Sequence, residues 1–133
     1  MPYYFDSSAI VKLVRTEAET VALRSWLRSG ERVMTSDLAR TEVARTVRRH
    51  ASAAAAQAEA VLATFDIFGL GTPEYLQAGM LPPPELRSLD ALHLAAAMTL
   101  RPELDGLVTY DDRLADAAAR LGVQVLSPGR SPA

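Results

Sequence analysis

Short apolar segments alternate with helix-like segments along this chain, and two of the apolar segments stop abruptly at aspartates. Pro2 to Phe5 ends at Asp6, and Leu107 to Tyr110 ends at Asp111 and Asp112. Strand-then-helix alternation predicts a parallel sheet covered on both faces, because parallel neighbours need a crossover and a helix supplies it. Sites in open sheets of this kind form beyond the carboxyl ends of the strands. Acids placed directly after strands therefore say more than acids elsewhere.

The remaining elements follow from local signals. Ser7 or Ser8 can cap a helix over Ala9–Val14, and a second helix is expected from Glu17 to Ser29, stopped by Gly30. Arg32–Thr35 reads as a strand, and Ser36 or Asp37 as the cap of the next helix. Leu38, Ala39, Val43 and Val47 give that helix an apolar stripe, and it either runs or bends into the Ala-rich stretch Ala51–Ala63. Phe65–Leu70 is a third strand, and Pro73 opens a short helix. The Pro82-Pro83-Pro84 run must be extended. Ser88 is expected to cap a helix through Leu100. Leu107–Tyr110 is a fourth strand, Asp112–Leu121 a helix closed by Gly122, and Val123–Leu126 a fifth strand. The reading is one domain over residues 1–126 and a flexible C-terminal tail over 127–133.

Composition removes several chemistries. With no cysteine, disulfides, thiolate zinc sites and a cysteine nucleophile are excluded, and a reducing compartment such as the cytoplasm is compatible. The opening Met-Pro-Tyr-Tyr-Phe-Asp does not resemble a basic leader, and no apolar run is long enough for a bilayer, so no membrane role is expected. The formal net charge of −2 means that a phosphate-rich partner would need a local basic patch.

Four acids can converge at the carboxyl edge. Asp6 follows strand one and Asp111 follows strand four. Asp90 sits in the first turn of the Ser88 helix, where the helix dipole favours a negative charge. Glu42 lies about one turn into the helix after strand two. Each has a bland reading too. Asp6 can be a cap, Asp90 a dipole partner, Glu42 a surface partner of Arg45, and Asp111 or Asp112 a turn residue. Sixteen acidic residues make some coincidence expected. Clustered carboxylates, however, are stable mainly with a divalent cation among them. Oxygen ligands without cysteine suit Mg²⁺ or Mn²⁺ rather than zinc, and such ions activate water and stabilise charge on a phosphate.

Four ordered motifs resemble those of PIN domains. They are Tyr4-Phe5-Asp6-Ser7-Ser8-Ala9, Thr41-Glu42-Val43, Leu86-Arg87-Ser88-Leu89-Asp90-Ala91-Leu92-His93-Leu94-Ala95, and Val108-Thr109-Tyr110-Asp111-Asp112-Arg113-Leu114. Together they look like a VapC-type toxin of a bacterial toxin–antitoxin pair, with the likeness spanning nearly the whole chain. The resemblance implies a three-layer α/β/α sandwich around a parallel sheet of four to five strands. It implies a Mg²⁺- or Mn²⁺-dependent endoribonuclease cleaving single-stranded or loop RNA, a cognate antitoxin and a homodimer. It makes Asp6, Glu42, Asp90 and Asp111 the acidic quartet, with Asp112 a competitor for the place of Asp111.

On that footing Asp6, Asp90 and Asp111 bind metal directly or through water, and Glu42 orients or deprotonates the attacking water. Ser7, Thr109 and Asp112 are expected to support the ligating carboxylates. Among Arg40, Arg45, Arg48 and Arg49, the last two read better as a solvated helix face, while Arg45, Arg87 and Arg113 are expected substrate contacts. His93, one turn from Asp90, reads as a hydrogen-bonded packing residue, and Trp26 as core. Two rivals remain, and a third is rejected. A non-catalytic binding module would leave RNA uncut. An aspartyl-phosphate hydrolase needs a second acid two positions after Asp6, where Ser8 stands. A receiver-type domain needs a late lysine, and the chain's lysine is Lys12.

Overall fold

The computed structural model describes residues 1–130. Five strands form one all-parallel sheet: β1 (Pro2–Phe5), β2 (Arg32–Ser36), β3 (Asp66–Phe68), β4 (Gly106–Val108) and β5 (Val125–Leu126). Their order is β3-β2-β1-β4-β5, so the first strand is central. Tyr3 pairs with Val33 on one side and with Gly106 on the other.

Seven α-helices cover the sheet: α1 (Ser7–Val14), α2 (Thr20–Leu27), α3 (Leu38–His50), α4 (Ala55–Leu62), α5 (Thr72–Met80), α6 (Ser88–Met98) and α7 (Asp112–Arg120). Side chains of a strand alternate between faces, and Phe5 and Tyr4 divide the core accordingly. Phe5 packs with Ile10, Leu23, Val43 and Phe65, joining α1 to α4 on one face. Tyr4 packs with Leu94, Leu107, Leu114 and Ala117, joining α6 and α7 on the other. α5 adds Ala78 against Ala91 and Ala95 of α6. This is the expected α/β/α sandwich. Trp26 is core as read, with its ring edge-on to Tyr3 at 4.8 Å.

The differences from the sequence reading lie at element ends. α1 starts at Ser7, capped by Asp6 itself rather than by a serine. α6 starts at Ser88, and its cap position is Arg87, which makes no side-chain cap bond. The helix after β2 does bend. Ala51 leaves helical geometry (φ −156, ψ 54), a 3₁₀ turn covers Ser52–Ala54, and α4 follows. α2 loses the flanks expected at Glu17 and Ser29, and β3, β4 and β5 are shorter than their apolar runs. Burial extends past the last ladder bond, so hydrophobicity overstates strand length. Gly30 and Gly122 adopt φ of 81 and 78, the left-handed geometry that ends a helix.

Residues 127–130, the first part of the expected flexible tail, make contacts with the domain. Ser127 Oγ donates to the Thr109 carbonyl (2.6 Å) and Tyr110 Oη to the Pro128 carbonyl (2.7 Å). Arg130 pairs with Asp112 at 2.8 Å and Glu19 at 3.5 Å. Serine and proline in a tail do not prevent docking when strand ends offer carbonyls and carboxylates to it. Residues 131–133 of the expected tail lie outside the described residues. No described helix is long and apolar enough to cross a membrane.

Candidate active site

From β1 the chain runs outward to β2 and β3, whereas β4 leads to β5 on the other side. That divergence opens a crevice at the carboxyl ends of the two neighbours, β1 and β4. Asp6 and Asp111 follow those strands. α3 leaves β2 at the same edge and carries Glu42, and the first turn of α6 carries Asp90. All four acids line one open cleft of about 690 Å³, with room for a nucleotide unit as well as an ion.

Asp6 forms the cleft floor at 3 % exposure. Its Oδ1 accepts from Ser8 Oγ (2.7 Å) and from the Ala9 amide (3.1 Å), and its Oδ2 from Thr109 Oγ1 (2.7 Å). Burial pushes its carboxyl above the ordinary value, against the opposing charge of His93 and the bonds from Ser8, Thr109 and Ala9. Asp6 thus caps α1 and lines the cleft at the same time.

Glu42 is clamped on one oxygen. Ser7 Oγ (2.8 Å) and His93 Nε2 (2.5 Å) both meet Oε1. Burial raises its pKa, but the bond and charge of His93, with the Ser7 bond, outweigh burial and hold the carboxyl below its usual range. Asp111 caps α7, its Oδ1 accepting from the Arg113 (2.9 Å) and Leu114 (3.0 Å) amides, while its own amide donates to Thr109 Oγ1 at 3.1 Å. Thr109 therefore ties the acid after β1 to the acid after β4. Asp90 differs from the rest, because no described residue donates a hydrogen bond to its carboxylate. Burial, then the charges of Asp111 and Asp6, push it up to about 6.

The supporting residues divide. Ser7 and Thr109 hydrogen-bond carboxylates as expected. Asp112 does not. Its side chain is 89 % exposed and pairs with Arg130, because the cap geometry turns Asp111 inward and the next residue outward. Asp111 lines the acidic cleft, and Asp112 lines only an adjoining recess. Ser8 was missed, and it joins Asp6, Thr109 and the Tyr110 amide.

The arginines separate by helix face. Arg87 lines the cleft, and Arg113 shares an adjoining recess with Arg87, Asp90 and Asp111. Arg45 instead lines the next groove, beside Glu42, Tyr75 and Leu89. Arg49, read as a solvated residue, lines the acidic cleft with Glu42 and Thr46. Residues 42, 46 and 49 stand at i, i+4 and i+7, so helical periodicity carried the signal. His93 is both things at once: buried at 1 %, fully bonded, and part of the site.

Among the described residues no three His, Asp or Glu side chains form a ready metal cage. The donor set still fits a hard cation. Mg²⁺ is commonly held by one or two carboxylates and several waters, not by an all-protein cage. Asp90, crowded by like charges and lacking a donor, is the kind of group that such a cation relieves.

Comparison with known proteins agrees with this fold. Residues 3–120 match the PIN domain family. Ribonuclease VapC46 of Mycobacterium tuberculosis is 45 % identical over 125 residues, covering 94 % of this chain and 96 % of the relative. The crystal structure of Mycobacterium tuberculosis VapC20, described as a sarcin-ricin loop cleaving toxin, superposes with a TM-score of 0.70 at 19 % identity, over 86 % of this chain and 94 % of that one. A toxin–antitoxin complex from Klebsiella pneumoniae gives 0.72 at 22 % identity, over 95 % and 97 %. The chain belongs to the PIN-domain family, among the VapC ribonucleases.

Proposed function

We propose that this protein is the RNA-cleaving toxin of a toxin–antitoxin pair and a Mg²⁺- or Mn²⁺-dependent endoribonuclease, with Asp6, Glu42, Asp90 and Asp111 as its working acids. The observation that carries this reading is the gathering of those four carboxylates, from four separate elements, in one cleft of a VapC-like chain. Asp6, Asp90 and Asp111 would hold the cation, with Glu42 completing the set. When bound, the cation supplies Lewis acidity toward the phosphate and a lowered pKa for water.

The chain's own residues do the rest. Asp6 is held rigid by three donors. Glu42 has its Oε1 occupied by Ser7 and His93, so Oε2 is the oxygen available to orient the attacking water or take its proton. Arg87 and Arg113 would bind the substrate phosphates, and Arg49, which also lines the cleft, would add positive charge. Such charge offsets the repulsion that an acidic cleft exerts on RNA. The substrate is single-stranded or loop RNA, whose backbone can bend into an open cleft.

The partners are a cognate antitoxin and a second copy of the chain, with cytoplasmic residence. Tyr75, Leu76 and Met80 on α5 and Leu89 on α6 are exposed at 53 %, 68 %, 86 % and 47 %, an apolar face suited to the homodimer. Met80→Glu should then convert a dimer to a monomer in sedimentation.

The test of the activity is cleavage of total RNA by the purified protein with Mg²⁺ or Mn²⁺, with and without chelator. Endonucleolytic products that vanish with chelator and in folded Asp6→Asn support it. A folded protein that leaves RNA intact with either ion, or an Asp6→Asn variant cutting at the native rate, defeats it.

A further inference from the structure

His93 and Tyr4 form a polar chain through the core that ends on Glu42. Ser36 Oγ lies 2.8 Å from Tyr4 Oη, and Tyr4 Oη lies 2.8 Å from His93 Nδ1. His93 Nε2 then meets Glu42 Oε1 at 2.5 Å and Ser7 Oγ at 3.3 Å. The chain runs through β2, β1, α6 and α3, and so joins two helices that pack on opposite faces of the sheet. Tyr4 is 0 % exposed and His93 1 %. Tyr4 packs in an apolar cluster with Leu94 and Leu107, where a buried hydroxyl is costly unless it is hydrogen-bonded.

We propose that His93, backed by Tyr4, is a positioning residue that fixes the rotamer of Glu42, occupying Oε1 and leaving Oε2 to the chemistry. The proposal rests on Glu42 being one of the working acids. An ionised carboxylate accepts and never donates, so His93 must present a protonated Nε2 to it. When the ring is neutral, Nδ1 is then an acceptor, and Tyr4 donates to it and in turn accepts from the Ser36 hydroxyl. Every polar atom in the chain is then satisfied in that one direction, from Ser36 to Tyr4 to His93 to Glu42. When the ring is charged both nitrogens donate, and Nε2 still faces Glu42 as a donor. A glutamate has three rotatable bonds to immobilise. The Ser7 hydroxyl can rotate with it, whereas the imidazole is locked by core packing and by Tyr4. Rigid support of this kind is what holds a reacting group in productive geometry.

Three variants and one spectroscopic measurement test the idea. His93→Leu keeps the bulk and removes the donor. His93→Gln keeps an amide nitrogen near the place of Nε2. Tyr4→Phe removes only the backing. In RNA cleavage with Mg²⁺, His93→Leu should lower kcat about 10- to 100-fold with KM for RNA unchanged. His93→Gln should recover most of that loss, and Tyr4→Phe should lower kcat several-fold. Nitrogen-15 NMR of the metal-free wild-type protein should show Nε2 of His93 protonated. A bare Nε2 overturns the proposal. So does an unchanged kcat in whichever of His93→Leu and Tyr4→Phe folds, or a loss that appears in KM alone. If the wild-type protein cuts no RNA, the nuclease reading fails, and the NMR spectrum of wild type and Tyr4→Phe still decides whether His93 donates to Glu42.

Discussion

The floor and the lip of the cleft are built on opposite principles. On the floor, Asp6 receives three hydrogen bonds and Glu42 two, from Ser8, Ala9, Thr109, Ser7 and His93. At the lip, Asp90 receives none from a described residue, and its carboxyl is raised to about 6 by burial and by neighbouring carboxylates. Asp111 stands between, with one oxygen spent on capping α7. The protein solvates its floor acids with its own donors and leaves a lip acid to be satisfied from outside. Hydrogen bonds are therefore structural at the floor, whereas charge is the unfinished business of the lip.

That contrast can be broken in several ways. The largest effect is catalytic and should fall on both regions: Asp6→Asn and Asp90→Asn are each expected to abolish RNA cleavage while keeping the native circular dichroism spectrum. Loss in only one of them would mean that floor and lip do not form one site. Stability should then separate the two. Thr109→Val leaves Asp6 Oδ2 buried without its donor and should cost about 1–3 kcal/mol in urea unfolding. An unchanged midpoint would show that the floor network does not hold the fold.

Asp90→Asn should instead stabilise the metal-free protein, by on the order of 1 kcal/mol at neutral pH, because it removes a crowded charge. The sign follows from linkage. A carboxyl raised to about 6 in the folded state and near 4 when unfolded binds more protons when folded. Its proton-linked stability is present below about 4 and is lost as pH rises toward 6. Unfolding of the metal-free protein should thus show stability falling over that window relative to Asp90→Asn, and saturating Mg²⁺ should restore it above pH 6. Parallel profiles for the two proteins would remove the charge argument at the lip. The smallest effect belongs to Asp112→Asn, which should leave cleavage within about twofold and stability within about 1 kcal/mol, since it breaks an exposed pair with Arg130.

Legibility in the sequence followed the range of the interaction. Asp6 and Asp111 were readable because each sits directly after a strand, and strand ends define the edge at which sites form. Asp90 was readable from the helix start. Arg49 was readable in principle, seven residues after Glu42 on one helix, but the run of nearby arginines looked like a surface. The partnership of Glu42 with His93 was not readable. The residues are 51 positions apart, on helices from opposite layers, and no local pattern encodes that crossing. Nor did the Pro- and Ser-rich segment after β5 announce its docking, which depends on the carbonyl of Thr109 and the hydroxyl of Tyr110.

Local periodicity and turn chemistry, read from the residues alone, determined the alternation of strands and helices and the layered fold, while the four acids were singled out by the motifs that resemble PIN domains. Tertiary structure decided which oxygens of Glu42 and Asp111 are occupied, that Asp111 lines the cleft while Asp112 pairs with Arg130, and that a core histidine reaches the site. The physical reason is that hydrophobic patterning acts on whole faces of an element, whereas a hydrogen bond depends on placing two particular atoms within a few tenths of an ångström. That placement exists only after the layers have packed.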